Sequence, residues 1–224
     1  MKLYYHPAST TSRPIVLFAA ENKIALDLQV IDLFTGEHYK PAFEAINPNH
    51  LVPVLEDGDF RLTESSAILK YLADSIDSPA YPKGLKERAR VNEMMDWINT
   101  QLCRDLAYGC VYAQIFPGHK RPTEEAQRAT VAWGQERAKH WMSVLDQKLL
   151  GSDKPFLCGA QITIADYYGA SFVHLAEVVG SDLSAYPNVS AWLGRMKKRP
   201  TWEKVYAAIN GFAQQLPKGQ LATV

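Results

Sequence analysis

Two kinds of hydrophobic spacing divide the chain. Up to about residue 77, short apolar runs with alternating polar partners are interleaved with helical stripes; after that only the helical spacing recurs. Lys2–His6 is apolar and aromatic and runs into Pro7, which predicts a strand closed by a turn. Ser12-Arg13-Pro14, followed by Ile15, Val16, Phe18 and Ala19, predicts a helix with a hydroxyl cap and proline in its first turn. Leu26, Leu28 and Val30 alternate with Asp27 and Gln29 as a second strand, and a short helical stretch follows around Tyr39–Ile46. Val52–Glu56 and Asp59–Leu62 flank Asp57-Gly58, a dipeptide that favours a tight hairpin. Glu64–Ile76 sets Ile68, Leu69 and Leu72 on one helical face.

The order βαβαββα predicts one small α/β domain over residues 1–77, with strands one and two parallel and strands three and four an antiparallel hairpin. Ser78-Pro79-Ala80-Tyr81-Pro82 opens a linker over 78–84. Helical spacing then covers Leu85 to about Phe116, Thr123 to about Leu150, Thr163–Val179, Pro187–Arg199 and Thr201–Ala213, an all-α domain over 85–224.

Charge narrows the function classes. The 224 residues carry 24 Lys+Arg against 24 Asp+Glu, a formal net charge of +0, which argues against a general nucleic-acid binder. No apolar run reaches the roughly 20 residues a membrane helix needs, and MKLYYHPAST is expected to be a first strand rather than a signal peptide. Cys103, Cys110 and Cys158 form neither an even set nor a metal spacing, which suits a reducing cytoplasm and buried thiols. The six histidines do not sit at zinc-ligand intervals, so no metal is expected.

Candidate chemistry gathers at the first turn. Ser9-Thr10-Thr11-Ser12 lies between strand one and helix one, where open α/β sheets bind ligands against helix N-termini. Ser12 or Thr11 is an N-cap in the plain interpretation; in the functional one a hydroxyl here stabilises an anion. A thioredoxin-like redox domain would carry Cys-x-x-Cys in this turn, but the first cysteine is Cys103, so dithiol chemistry is excluded. A hydroxyl on a helix dipole can still hold a thiolate supplied by a ligand. Lowering a thiol pKa by two units takes about 2.7 kcal/mol, within reach of one charge-assisted hydrogen bond of about 1.5–3 kcal/mol plus a helix terminus of about 0.3–1 kcal/mol.

Two further motifs point to peptide recognition. Val52-Pro53 at the head of strand three is compatible with a cis bond that leaves the Val52 N–H and C=O facing outward, ready to pair with an extended peptide. Glu64-Ser65 opens helix three, either as ordinary first-turn residues or as a carboxylate cradle. Tyr108, Tyr112 and Phe116 recur every four residues, as a core stripe or as the wall of a flat apolar pocket between the domains.

LYYHPASTTSR, the His-x-x-Pro of His38–Pro41, INPNHLVPVLEDG, LTESSAILKYL and FLCGAQITIADYY occur in this order and spacing. Over essentially the whole chain they resemble the cytosolic glutathione transferases; the opening and ERARVNEMMDWINTQL look closest to the serine-using theta class and its bacterial and insect relatives. The resemblance implies a thioredoxin-like N-terminal domain, a helical C-terminal domain and glutathione as co-substrate. It implies Ser9 as thiolate donor, with Ser12, where some bacterial relatives carry cysteine, as the alternative. Val52 beside cis Pro53 would pair with the cysteinyl backbone, Glu64 and Ser65 would hold the γ-glutamyl end, and His38 and His50 the glycine carboxylate. Thr163 and Asp166 match the family's helix cap, a structural capping box. A small hydrophobic electrophile, a cytoplasmic location and a homodimer complete the expectation; glutathione-dependent haloalkane dehalogenation and a non-catalytic ligand-binding protein are the alternatives.

Overall fold

The computed structural model describes residues 1–151 and 153–224. The N-terminal half is built on a four-stranded mixed sheet in the order β2-β1-β3-β4. β1 (Lys2–Tyr5) pairs in parallel with β2 (Asp27–Val30), joined through α1 (Arg13–Glu21). β3 (Val54–Asp57) runs antiparallel to both β1 and β4 (Phe60–Leu62). Asp57 pairs with Phe60, so the hairpin loop is Gly58-Asp59 rather than the expected Asp57-Gly58, and Gly58 takes the positive φ of +62° that this tight turn needs. A single 3₁₀ turn at Glu37–Tyr39 and α2 (Pro41–Glu44) replace the one short helix expected around Tyr39–Ile46. α3 (Ser65–Ser75) completes this half.

Alternation in β2 is a weaker guide to burial than it looks. Leu28 and Val30 are both exposed, because β2 is the outer parallel strand with a neighbour on one side only. The buried face belongs to Leu3, Leu55, Phe18, Leu69 and Leu72, where α1 and α3 cover the sheet.

The second half is helical. α4 (Leu85–Trp97) continues without a break into a π-wound stretch, Ile98–Val111, and ends as α5 (Tyr112–Ile115). α6 (Glu124–Val144), with a π-wound end at Leu145–Leu149, crosses it closely: a Cβ on Gly134 would stand 2.3 Å from the Gly109 carbonyl carbon. Only glycine permits that approach. α7 (Ile164–Val178) is nearly all buried and runs through the centre, with α8 (Pro187–Lys197) and α9 (Trp202–Ala213) beside it. Among the described residues no helix is long and apolar enough to cross a membrane.

One continuous hydrophobic cluster spans both halves, from Leu3 and Phe18 to Trp192 and Ile209. α1 is the shared element, and polar contacts hold each of its ends to the helical half. At its C-terminus the Glu21 carboxylate accepts from Arg199 Nε at 2.8 Å and from the Tyr167 hydroxyl at 2.7 Å. At its N-terminus the Ser171 hydroxyl of α7 donates to the Thr10 carbonyl at 2.6 Å.

The Thr163–Asp166 capping box forms as expected, and Asp166 does more than cap. Its fully buried carboxylate accepts from Thr163 N–H at 2.7 Å, Leu157 N–H at 2.8 Å and Trp192 Nε1 at 2.9 Å, tying the 150s loop to α7 and α8. Each buried donor left without a partner costs about 1–3 kcal/mol. Asp166→Ala is therefore expected to lower unfolding free energy by at least about 3 kcal/mol, measured as a fall in urea midpoint. A midpoint equal to the parent's would contradict this account of the loop.

Candidate active site

The turn from β1 to α1 has a specific hydrogen-bond direction. The Ser12 side chain does not cap α1 as expected: its hydroxyl is fully buried and unpartnered. Ser9 caps instead, its carbonyl accepting from Ser12 and Arg13 N–H at 3.2 Å and its Oγ accepting from Ser12 N–H at 3.3 Å. Ser9 Oγ also lies 3.1 Å from Thr11 Oγ1, and Thr11 spends its single proton on the Val52 carbonyl at 3.1 Å. Ser9 is therefore the donor of that pair. Its oxygen is occupied by a helix-terminal N–H and its proton is the movable one. Of the two candidate serines, Ser9 is half-buried and reachable, whereas Ser12 is enclosed.

Val52-Pro53 is cis. The Val52 carbonyl is engaged by Thr11 rather than open, although a carbonyl oxygen retains a second lone pair. Thr11 links the Ser9 turn to the Val52 turn, a role no local pattern announces because its partner is 41 residues away.

His38 and His50 come together. His50 Nδ1 is 2.9 Å from the His38 carbonyl oxygen, and the Tyr39 ring packs against both imidazoles. Burial and the neighbouring His50 pull the His38 pKa below its ordinary value, which favours its neutral ring. Glu64 stands immediately before α3 with φ +63°, a left-handed conformation rare outside glycine. No side chain caps α3, and Ser65 is buried at its first position, so the helix terminus is a donor site flanked by Glu64.

The long helix presents Tyr108, Tyr112 and Phe116 as one ring series, with centroids 5.1 and 5.3 Å apart. Along this stripe Tyr112 is buried against Thr10 and Arg13, as a core stripe requires, whereas Tyr108 is 44% exposed. Phe116 stacks at 5.8 Å on Phe212 of α9, which stacks at 6.0 Å on Phe34 of the loop after β2. His6 packs edge-on against Phe34 and accepts the Ala8 N–H, leading the series back to the Ser9 turn. The sequence gives no sign of Phe34 or Phe212, since a stack built from three distant elements has no local spacing.

The cysteines contribute no nucleophile. Burial pushes the Cys103 thiol up to about 12 and the Cys110 and Cys158 thiols up to about 11. Cys158 is partly exposed rather than buried. Among the described residues no group of three His, Cys, Asp or Glu side chains is placed to hold a metal.

The sequence profile "Glutathione S-transferase, N-terminal domain" matches residues 8–75, and "Glutathione S-transferase, C-terminal domain" matches 111–200. Human glutathione S-transferase theta-2 is 36% identical over 203 residues, covering 88% of this chain and 80% of that protein. The chain belongs to the glutathione S-transferase family. Bovine glutathione S-transferase theta-1 is also 36% identical, over 88% of this chain and 82% of its own. The crystal structure of human glutathione transferase theta-2 in complex with glutathione superposes with a TM-score of 0.84 at 31% identity, covering 99% of this chain and 92% of that one. A delta-class glutathione transferase of Nilaparvata lugens gives a TM-score of 0.77 at 31% identity, over 95% and 96%. The fold is that of the family, a thioredoxin-like sheet half followed by a helical half, and the chain is a transferase with glutathione as co-substrate.

In such an enzyme the sulfur that reacts is the ligand's, and the thiols of the chain should stay inert. Native protein treated with iodoacetamide at mildly alkaline pH is expected to keep Cys103 and Cys110 unmodified until it is denatured. Peptide mass spectrometry finding either alkylated in the folded state would contradict their burial.

Proposed function

We propose that the enzyme binds glutathione along the Ser9, Val52 and Glu64-Ser65 edge and ionises its thiol against the Ser9 hydroxyl, for attack on a small hydrophobic electrophile. The observation that carries this reading is the donor direction at Ser9. A hydroxyl whose oxygen already accepts from Ser12 N–H, and whose proton rests on Thr11, can turn that proton to a sulfur anion without losing its cap. The tripeptide's cysteinyl backbone pairs with Val52 as an added strand does. Its γ-glutamyl end meets Ser65 and the α3 terminus, and its glycine carboxylate meets His38 and His50.

The thiol proton leaves to solvent and the thiolate attacks the electrophilic carbon, expelling halide or adding across an activated double bond. No covalent bond to the protein forms. The protein's contribution is a greater thiolate fraction at neutral pH and the placement of two reactants. Tyr108, Tyr112 and Phe116 form an aromatic series on the long helix, which favours a flat aryl halide over a very small haloalkane as the better substrate.

Ser9→Ala removes a charge-assisted bond of about 1.5–3 kcal/mol, which corresponds to about one to two pKa units. The bound thiol then ionises at higher pH, so the rising limb of kcat/KM against pH moves upward and turnover at neutral pH falls by about 10- to 100-fold. Ultraviolet thiolate absorbance of the bound tripeptide measures the shift directly. An unchanged titration in that variant transfers the role to Ser12 or Thr10. Conjugation of a chromogenic aryl halide tests turnover itself, and chloride release from dichloromethane separates dehalogenation.

The cytoplasmic homodimer belongs to the same reading, with the sheet half of one copy set against the helical half of the other about a two-fold axis. Trp133 of α6, 63% exposed, lies on the helical face available for this. Sedimentation is expected to give twice the chain mass of 25.1 kDa, and a single-chain species at micromolar concentration would contradict it.

A further inference from the structure

Arg13, the first residue of α1, is 1% exposed and has no acidic partner. Each carboxylate–cation pair among the described residues lies elsewhere. Its guanidinium is held by neutral groups alone. Nη1 donates to the Ala8 carbonyl at 2.6 Å, Nη2 to the Ser171 carbonyl at 3.5 Å, and the Tyr206 ring centroid lies 5.0 Å away. Arg13 Nε has no partner, nor has the buried Ser12 Oγ, and the neutral Tyr206 hydroxyl faces the guanidinium. The titratable groups facing it are Tyr206 from α9 and Tyr112 from α5, both phenols kept neutral by burial. Glu64, Cys103 and Tyr108 face one another on the side of the cleft formed by the long helix.

A guanidinium does not shed its proton to escape burial, so its charge stays and goes unneutralised. The turn is arranged around that charge. The carbonyls on either side of Ser9, those of Ala8 and Thr10, are drawn inward by Arg13 and by the Ser171 hydroxyl. Both carbonyls thus have interior partners, and the N-terminus of α1 beside them carries a partial positive charge.

We propose that Arg13 is a positioning residue for the thiolate: fixed through the Ala8 carbonyl next to Ser9, its unneutralised charge makes the bound sulfur anion the counter-ion that the fold lacks. The proposal rests on the reading of this turn as the thiol site, and it separates the long-range charge of Arg13 from the direct hydrogen bond of Ser9.

The test is the pH titration of thiolate absorbance for glutathione bound to four proteins: the parent, Ser9→Ala, Arg13→Gln and Arg13→Lys. Gln keeps an amide donor for the Ala8 carbonyl and removes the charge; Lys keeps the charge. The expected result is a thiol pKa about one unit higher in Arg13→Gln, less than half that rise in Arg13→Lys, and unchanged calorimetric affinity of Arg13→Gln for S-methylglutathione, whose sulfur cannot ionise. A parental thiol pKa in Arg13→Gln overturns the proposal while leaving Ser9 its role. If Arg13→Gln does not fold, Ser9→Ala decides: a residual lowering of the bound thiol's pKa by about one unit or more, beyond what a helix terminus supplies, supports Arg13, and a smaller one overturns it. Failure of the parent to bind glutathione at all would remove the thiol site itself.

Discussion

α1 is the element through which the two halves of the molecule become one site. Its apolar face, Ile15, Leu17, Phe18 and Ala19, is buried in the cluster that runs from the sheet into the helical core. Burial of apolar surface fixes a helix against its neighbours without setting its register; the polar contacts at its ends do that. Glu21 meets Arg199 and Tyr167 at one end, and Arg13 meets Ser171 and Tyr206 at the other. A slide of α1 along its axis would break both sets and leave buried charge on each side, a cost of several kcal/mol. The Ser9 turn, with Ser9 four residues before Arg13, inherits this placement.

The same arrangement explains why the proposed glutathione edge and the proposed electrophile wall lie on different halves. Hydrogen-bonding positions for an extended peptide come from strand ends, helix termini and a cis turn, features of the sheet half. A flat apolar wall comes from a helix bearing rings four residues apart. Neither half supplies both. The Phe116–Phe212–Phe34 stack and the contact of Tyr112 with Thr10 bring the long helix beside the Ser9 turn.

Much of this was legible in the chain because it is local. Element order, the hairpin, most helix starts and the Thr163–Asp166 cap each depend on residues within a few positions of one another, and they appear within a residue or two of where the spacing puts them. What the pattern missed depends on distance in sequence. β2 alternates like a half-buried strand, yet Leu28 and Val30 are exposed because the sheet ends there. Ser12 has the composition of an N-cap, but its backbone is already helical, with φ −84° and ψ −39°, so its hydroxyl cannot reach back to the first N–H groups and Ser9 does so instead. Spacing along the long helix predicts an α-helical stripe, whereas winding from Ile98 to Val111 is π. No single-residue preference encodes that; α6 pressing through Gly134 onto Gly109 accompanies it.

Thiolate chemistry on this scaffold is a matter of where negative charge is cheapest. A redox enzyme of the same architecture would lower the pKa of its own cysteine in the first turn, and here the three thiols of the chain are held protonated by burial instead. On the proposed reading the turn keeps what a thiolate needs: a helix terminus, a hydroxyl whose proton rests on Thr11 and can turn, and interior partners for the Ala8 and Thr10 carbonyls. Because the sulfur arrives with the ligand, its departure as a thioether neutralises it and withdraws the charge that held it there. The interactions that favour the reactive anion are then absent from the product, and the same electrostatics that promote attack weaken the hold on what attack produces.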